Sequence, residues 1–186
     1  MKLNPIRKFT HGLRTQLIIN TYKNIIKPND RVADIGCDTG FVGFHIAKAL
    51  HCTVEGIDLE NHLEYKIPFH GISNFKTKLP DQSFDAVMIN DTLHHVSFDR
   101  QMELINEAQR ISRKVLIFES QLNWAVWITD YLNEKRKMSA PNANRDLEGW
   151  QNFLPATFVF LPVKKRFWYP VGHYAFGQIP ESRSKA

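Results

Sequence analysis

Two carboxylates and two glycines lie close together in the first quarter of the chain. Asp34 and Asp38 flank Gly36, and Gly40 follows two residues later. Glycine permits positive φ and lets a ligand approach the main chain closely. The two carboxylates would repel a phosphate group and attract a cation. The spacing therefore predicts a loop folded around a positively charged ligand that carries no phosphate.

A third carboxylate, Asp58, follows an apolar run at residues 53–57. In a sheet of parallel strands, an acidic residue about 20 residues beyond a glycine loop can accept hydrogen bonds from ribose hydroxyls. A helix cap could also use an aspartate at this place. Together with the glycine loop, Asp58 indicates a ligand that contains a nucleoside.

The elements that would position these residues alternate between strands and helices. Apolar residues at helical spacing predict a first helix over residues 14–27, and residues 31–35 read as a short buried strand. The same patterns predict helices at 41–50, after Ser97 and near 123–137, and strands at 53–57, within 67–75, and at 84–90, 115–118, 157–169 and 173–179.

This order predicts an α/β fold with a doubly wound, mostly parallel, seven-stranded sheet and a C-terminal antiparallel strand. Ligands bind such sheets at the carboxyl ends of the strands. We expect the 186 residues to form a single domain. Its parts are a helical segment at 1–30, a cofactor-binding core at 31–119, and a substrate-side helix with a final hairpin at 120–186.

The cysteine content, the apolar stretches and the net charge limit the classes of protein to which the chain can belong. The two cysteines, Cys37 and Cys52, form no C-x-x-C pair and no secretory leader is apparent, which predicts a cytoplasmic location. The apolar stretches are shorter than the roughly 20 residues that a membrane span needs. The net charge of +5 is modest and scattered. It does not by itself indicate nucleic-acid binding.

Three segments carry a resemblance to a known family. Residues 32–40 resemble the first motif of class I methyltransferases, an acidic residue followed by a glycine-rich turn. Residues 79–87, which read Leu-Pro-Asp-Gln-Ser-Phe-Asp-Ala-Val, and residues 93–96 closely resemble ubiquinone-biosynthesis-like methyltransferases (methyltransferase type 11). The resemblance, which covers about residues 14–119, implies a Rossmann-like methyltransferase fold. It also implies that S-adenosyl-L-methionine is the cofactor and S-adenosyl-L-homocysteine the product.

The resemblance assigns roles to single residues. Asp58 would accept the ribose hydroxyls, Leu59 would flank the adenine, and Asn90 would contact the methionine part of the cofactor. The aspartate that binds the adenine amino group in this family is replaced by Phe75. The adenine must therefore be recognised by Asn74, by stacking or by the main chain. The predicted cofactor-binding residues are Asp34, Gly36, Cys37, Asp38, Gly40, Asp58, Leu59, Asn74, Phe75 and Asn90. The stretch 58–79 is short for the family, which predicts a reduced helix between the second and third strands.

A nicotinamide or flavin cofactor is the main competitor, because its glycine fingerprint also follows the first strand of such a sheet. Aligning that fingerprint places Asp38 at its first or second glycine, where a pyrophosphate would have to pass. S-adenosylmethionine has a sulfonium and an ammonium group and no phosphate. The charge pattern therefore favours the sulfonium cofactor.

Methyl transfer requires mainly that a nucleophile be aligned with the carbon–sulfur bond. His94 and His95 are the candidate catalytic residues, with positioning favoured over a role as base, and His173 and Glu119 are further candidates near strand ends. Adjacent histidines point in different directions, and no third ligand is suitably spaced in the sequence. We therefore predict no metal.

The aromatic residues of the last third of the chain suit a small apolar or aromatic acceptor. They are Trp124, Trp127, Tyr131, Trp150, Phe153, Phe167, Trp168 and Tyr174, beside Ile128. Residues 90–93 lack the Asn-Pro-Pro-Tyr pattern of many amino-group methyltransferases, which disfavours an adenine or glutamine acceptor. Two alternatives stay open: a methyltransferase-like binding or scaffold protein without turnover, and an RNA-directed enzyme that uses Lys164, Lys165 and Arg166.

Overall fold

The computed structural model describes residues 5–121, 144–164 and 171–180 of the chain. We number the elements in chain order. The helices are α1 (Pro5–Tyr22), α2 (Phe41–Leu50), α3 (Gln101–Ile111) and α4 (Leu147–Phe153). The strands are β1 (Arg31–Ile35), β2 (Thr53–Asp58), β3 (Phe69–Ser73), β4 (Lys76–Thr77), β5 (Ala86–Asn90), β6 (Val115–Ser120), β7 (Phe158–Leu161) and β8 (His173–Gln178).

The strands form one sheet in the order β4-β3-β2-β1-β5-β6-β8-β7. Strands β3, β2, β1, β5 and β6 are parallel, β8 runs antiparallel to β6, and β7 pairs antiparallel with β8. This confirms the doubly wound sheet. The described sheet has eight strands rather than seven, because the chain turns back after β3 to form the two-residue strand β4.

Apolar residues cover both faces of the sheet. On one face Ile18 and Tyr22 of α1 pack with Ile46 of α2, and on the other Ile105 of α3 packs with Trp150 of α4. All residues of the central strand β5 are buried. A strand covered on both faces reads as a continuous apolar run, which is why β1, β5 and β6 were recognisable in the sequence.

Three local predictions differ from the structure. Helix α1 begins at Pro5, nine residues before the predicted start at residue 14, and ends at Tyr22, five residues before the predicted end at residue 27, after which the chain continues only as turns. The main-chain carbonyl of Ser97 accepts from Arg100 and Gln101, and α3 begins at Gln101, so Ser97 is not the residue that caps the helix.

The segment between β2 and β3, which was predicted to hold a reduced helix, holds none. It is too short to pack a helix against the sheet and return to β3. Ile67 of this segment lines a groove of about 580 Å³ together with Phe44 of α2 and Cys52.

Some predictions concern residues outside the described ranges. They are the helix near 123–137, its residues Trp124, Trp127, Ile128 and Tyr131, the residues Lys165, Arg166, Phe167 and Trp168, and part of the final turn. Within the described ranges, no helix is both long and apolar enough to cross a membrane.

Candidate functional site

The predicted cofactor loop lies at the carboxyl end of β1. Gly36 and Gly40 adopt positive φ values of 76° and 75°. A Cβ at Gly36 would collide with the side chain of Thr92, and one at Gly40 would come within 2.8 Å of Leu63. Both glycines are therefore required by backbone conformation and by packing, in addition to any approach of a ligand.

Asp34 lies beneath this loop and is only 2% exposed. Its Oδ1 accepts a hydrogen bond of 3.3 Å from Nδ2 of Asn90, whose Oδ1 accepts from the Tyr22 hydroxyl at 3.3 Å. Burial raises the pKa of Asp34 to about 7, and the neighbouring charge of Asp58 raises it further. The predicted residues Asp34 and Asn90 are thus brought into contact, and the site favours a cation that would restore the charge of Asp34.

Asp38 and Asp58 meet at the ends of β1 and β2. Asp38 is exposed, with a positive φ of 45°, and its main-chain N–H donates to Oδ2 of Asp58 at 2.9 Å. The other oxygen of Asp58 accepts from the N–H of Leu59 at 2.8 Å, and the Leu59 side chain is 73% exposed. A half-buried carboxylate thus stands beside an exposed apolar side chain, as a ribose and its base would require.

Cys37 differs from its neighbours in the loop. Its side chain is buried against Gly56, where a Cβ would come within 2.6 Å of the Cys37 sulfur. Burial raises the pKa of the thiol, and the charge of Asp34 adds to the effect. Only the main chain of Cys37 is therefore placed to contact a ligand.

Asn74 and Phe75 form the tight turn between β3 and β4. Both have positive φ, 49° and 58°, as a two-residue hairpin turn needs. Oδ1 of Asn74 accepts from Nη2 of Arg100 at 2.6 Å, and the Arg100 guanidinium lies 4.4 Å from the centre of the Phe75 ring. The structure thus joins these two predicted residues to the start of α3.

A second polar group, which we call the buried cluster, comprises Arg14, Asp91, His94 and Glu119. Glu119 is fully buried at the end of β6. Its Oε1 accepts from the main-chain N–H groups of Thr92 and Leu93, at 3.0 and 2.8 Å, and its Oε2 lies 2.7 Å from Nδ1 of His94.

Asp91 connects the buried cluster to the first helix. Its Oδ2 accepts from Nη1 of Arg14 at 2.9 Å, and its Oδ1 accepts from the main-chain N–H and hydroxyl of Ser120 at 2.8 and 2.7 Å. Burial alone would raise the pKa of Asp91, but Arg14, His173, His94 and Ser120 together lower it to about 2. The carboxylate is therefore charged at neutral pH.

The other candidate histidines are placed differently. His95 is exposed and its ring lies 4.0 Å from that of His94. His173 is buried at the start of β8, 4.7 Å from the ring of Phe118, and burial lowers its pKa. Sequence reasoning missed Arg14 and Asp91. Arg14 was detectable only as one of several basic residues of the first helix, and Asp91 only as the neighbour of Asn90.

The argument that no third metal ligand is available was wrong. Ligand atoms of Asp91, His94 and Glu119 lie within 4.8 Å of one another. Nevertheless, Arg14, Ser120, the Thr92 and Leu93 amides and His94 already occupy the four carboxylate oxygens. The arrangement suits a hydrogen-bonded network, and the absence of a metal stays a prediction.

Comparison with known proteins finds similarities to methyltransferases, beginning with the central part of the chain. Residues 33–116 match the family model described as a methyltransferase domain. A phosphoethanolamine N-methyltransferase from Arabidopsis thaliana is 29% identical over a stretch that covers 38% of this chain and 17% of that protein. The chain therefore spans about a sixth of the length of this curated relative.

Solved structures share the fold over a longer stretch. A magnesium protoporphyrin IX methyltransferase from Synechocystis, solved with S-adenosylhomocysteine bound, is 14% identical with a TM-score of 0.66. The superposed region covers 96% of this chain and 89% of that chain. A phosphoethanolamine N-methyltransferase from Haemonchus contortus, in complex with S-adenosylmethionine, is 17% identical with a TM-score of 0.56. That likeness covers 76% of this chain and 35% of that one. At these identities the likeness concerns the fold.

Proposed function

We propose that this chain, whose residues 33–116 match the methyltransferase-domain model, transfers the methyl group of S-adenosylmethionine to a small apolar or aromatic acceptor. The Gly36–Gly40 turn would hold the amino-acid part of the cofactor. Asp58 would accept the ribose hydroxyls, with Leu59 against the adenine. The binding energy would then come from a nucleoside and an amino acid rather than from phosphates.

One observation carries this proposal. In loops that bind dinucleotides, main-chain N–H groups and a helix N-terminus point at the pyrophosphate. Here the N–H of Asp38 is donated to a carboxylate, that of Asp58, and the Asp38 side chain is exposed beside it. A phosphate would meet two negative charges and lose this donor, whereas a sulfonium or ammonium group would be attracted.

Arg14 supports the assignment from the first helix. Its guanidinium lies close enough to lower the pKa of Asp34, and its Nε is buried without a hydrogen-bond partner among the described residues. A buried N–H donor without a partner costs about 1–3 kcal/mol. The carboxylate of the cofactor's amino acid could satisfy it, so Arg14 is a candidate for the group that binds this end.

The small size of the acceptor has its own support. The relatives named above act, by their names, on phosphoethanolamine or magnesium protoporphyrin, and each of these acceptors is a small molecule. In this chain Phe98 is 50% exposed and Phe153 is half-buried, and Arg145 lies 4.5 and 4.0 Å from their ring centres. An apolar ring could pack on such a surface.

Calorimetry with two ligands tests the cofactor. We expect S-adenosylmethionine and S-adenosylhomocysteine to bind and NADH not to bind. Binding of NADH alone would overturn the assignment. Turnover is tested separately, by the appearance of S-adenosylhomocysteine in the presence of a metabolite extract; binding with no turnover in any extract would favour a scaffold.

A further inference from the structure

We propose that Arg145, together with the aromatic rings around it, binds an acidic group of the methyl acceptor. The acceptor would then be a small molecule that carries a carboxylate or a phosphate on its apolar or aromatic body. This inference rests on the proposed function, because it takes the ligand of this surface to be the methyl acceptor. It adds a charge to an acceptor that is otherwise defined only by its size and apolar character.

Hydrogen bonds at both ends of Arg145 hold it at the carboxyl edge of the sheet. Its main-chain N–H donates to Oδ1 of the buried Asn144 at 2.9 Å, and Nδ2 of Asn144 donates to the carbonyl of Ser120, the last residue of β6, at 2.8 Å. Its guanidinium donates to Gln101 at the start of α3, and Gln101 donates to the carbonyl of Leu93, beyond the end of β5, at 2.9 Å. Arg145 therefore lies at the same edge of the sheet as the predicted cofactor loop.

Three aromatic rings surround the guanidinium. Its central carbon lies 4.0 Å from the ring centre of Phe153, 4.5 Å from that of Phe98 and 5.7 Å from that of Trp150. These are the distances of cation–π contacts. Such contacts stabilise the charge of the guanidinium, but they do not replace hydrogen-bond acceptors for its N–H groups. Because Phe98 is 50% exposed, the cluster of rings is open to a ligand from solvent.

The guanidinium has more donors than the protein supplies acceptors. Its Nε and Nη2 both donate to Oε1 of Gln101, at 3.3 and 3.1 Å. A guanidinium carries five N–H groups, so the N–H groups of Nη1 and one N–H of Nη2 have no acceptor within the described ranges. The carboxylate of the next residue, Asp146, caps α4 instead, since its Oδ1 accepts from the N–H of Gly149 at 2.7 Å. A ligand with two oxygen acceptors would satisfy the remaining donors.

Other arginines of the described ranges have the counter-ion that Arg145 lacks. The pairs are Arg14–Asp91, Arg31–Glu55, Arg100–Glu103 and Arg110–Glu107. No carboxylate in the described part of the chain pairs with the half-buried Arg145. Burial lowers the pKa of Arg145, although an arginine remains charged at neutral pH. A half-buried cation without a counter-ion is the feature that an acidic ligand would complete.

A second donor of the same cluster also lacks an acceptor. The Trp150 side chain is fully buried, and its Nε1 has no hydrogen-bond partner among the residues that the structure describes. Buried polar groups are in most cases hydrogen-bonded. Both Arg145 and Trp150 offer N–H groups and no lone pair, so the cluster favours a ligand with oxygen acceptors and a negative charge over an amine or a cation.

Small aromatic acids probe the site without turnover. Benzoate and phenyl phosphate carry the two candidate acidic groups on a ring, and benzamide is the neutral analogue of benzoate. The titration follows the NMR signal of the Trp150 indole N–H, which is assigned by its loss in a Trp150→Phe variant. We expect an acid to shift this signal to saturation and benzamide to bind about tenfold more weakly or worse. The acid that binds more tightly identifies the acidic group. Equal binding of benzamide and both acids would overturn the proposal.

The Arg145→Met variant tests the guanidinium itself. Methionine keeps an apolar side chain against the rings and removes the charge and the donors. We expect the Kd for the preferred acid to rise about tenfold or more, with the Kd for S-adenosylhomocysteine within about threefold of wild type. Arg145→Lys should keep part of the affinity for the acid, because lysine retains the charge but not the planar fork of donors. An unchanged Kd for the acid in Arg145→Met would overturn the proposal.

Arg31→Met is the matched control. The Arg31 guanidinium also lies against a ring, 4.4 Å from the centre of Phe84, but it pairs with Glu55 and stands at the start of β1, at the opposite edge of the sheet. Its loss should leave the binding of the acid unchanged. An equal loss of affinity in Arg31→Met and Arg145→Met would mean that the acids bind through general charge and would contradict a site at Arg145.

Anion exchange shows whether the methyl acceptor itself is acidic. A metabolite extract is separated into a retained, acidic fraction and an unretained fraction, and each is incubated with methyl-labelled S-adenosylmethionine. We expect label from the retained fraction, with an about tenfold higher KM and a nearly unchanged kcat for Arg145→Met. Label only from the unretained fraction would overturn the proposal and leave the proposed function standing. Label from neither fraction would contradict the proposed function, and the benzoate titration would still decide whether the acid site exists.

Discussion

The two halves of the carboxyl edge satisfy their polar groups in different ways. On the β1–β2 side, Asp58 is half-buried and Asp38 is exposed, and within the described part of the chain the Asp58 carboxylate accepts hydrogen bonds only from main-chain N–H groups. On the β5–β6 side, Glu119 is fully buried and the Asp91 side chain is only 6% exposed, and each carboxylate accepts three hydrogen bonds from main chain and side chains. The first half therefore leaves carboxylates accessible to a ligand, whereas the hydrogen bonds of the second half are already satisfied within the protein.

This difference separates binding from stability. A half-exposed carboxylate contributes little to the fold because water can replace its partners. Removing a buried acceptor leaves its donors unsatisfied in a low-dielectric environment. Substitutions on the β1–β2 side should therefore change mainly cofactor affinity, and those on the β5–β6 side mainly stability.

The largest effect is expected for Glu119→Ala. Three buried N–H donors would lose their acceptor, so the free energy of unfolding should fall by about 3–5 kcal/mol in urea denaturation. The parallel variant Asp58→Ala should lose no more than about 1 kcal/mol. Equal losses at the two positions would remove the contrast between the two halves.

Asp58→Ala should show the next largest effect, on binding. The loss of charged acceptors for two ribose hydroxyls corresponds to about a ten- to hundredfold rise in the Kd for S-adenosylmethionine, measured by calorimetry. The fold should remain intact, as judged by circular dichroism. An unchanged Kd would refute the ribose role of Asp58.

The third prediction concerns pH and Asp34. The pKa of Asp34 is raised to about 7, so its contribution to stability is complete below its ordinary value of 3.8 and is lost as pH rises through about 7. A cationic ligand interacts favourably with the ionised carboxylate of Asp34, so it binds best at a pH at which Asp34 has lost its proton. The Kd for S-adenosylmethionine should therefore be about tenfold weaker at about pH 6 than at about pH 8. An Asp34→Asn variant should show no such dependence; a wild-type Kd that is flat over this range would contradict the prediction.

The smallest effect is expected for Asp38→Gly. Asp38 holds a positive φ of 45°, a conformation that glycine adopts without strain. Relief of strain is offset by the greater freedom of glycine in the unfolded chain, so the gain in unfolding free energy should be roughly 0.5 kcal/mol. Thermal denaturation measures it. A fall in the free energy of unfolding of more than about 1 kcal/mol would show that the Asp38 side chain stabilises the fold rather than serving only to bind a ligand.

Local patterns determined most of the fold and one half of the site. The burial of β1, β5 and β6 appears as apolar runs, and the glycine loop and Asp58 follow strand ends directly, so their meeting at one edge could be predicted. The same reasoning identified Asn90, which the structure joins to Asp34. It could not foresee that the Cys37 side chain turns away against Gly56, because both faces of a turn look alike in sequence.

The sequence by itself thus determined the order of elements, the doubly wound sheet and the carboxylates around the glycine loop, because each depends on residues close in the chain. Only the tertiary structure decided the buried cluster. Arg14 and Asp91 are 77 positions apart and His94 and Glu119 are 25 apart, and the parallel register of β5 and β6 with the docking of α1 brings them together. Contacts of that range depend on the whole sheet, so no local pattern encodes them.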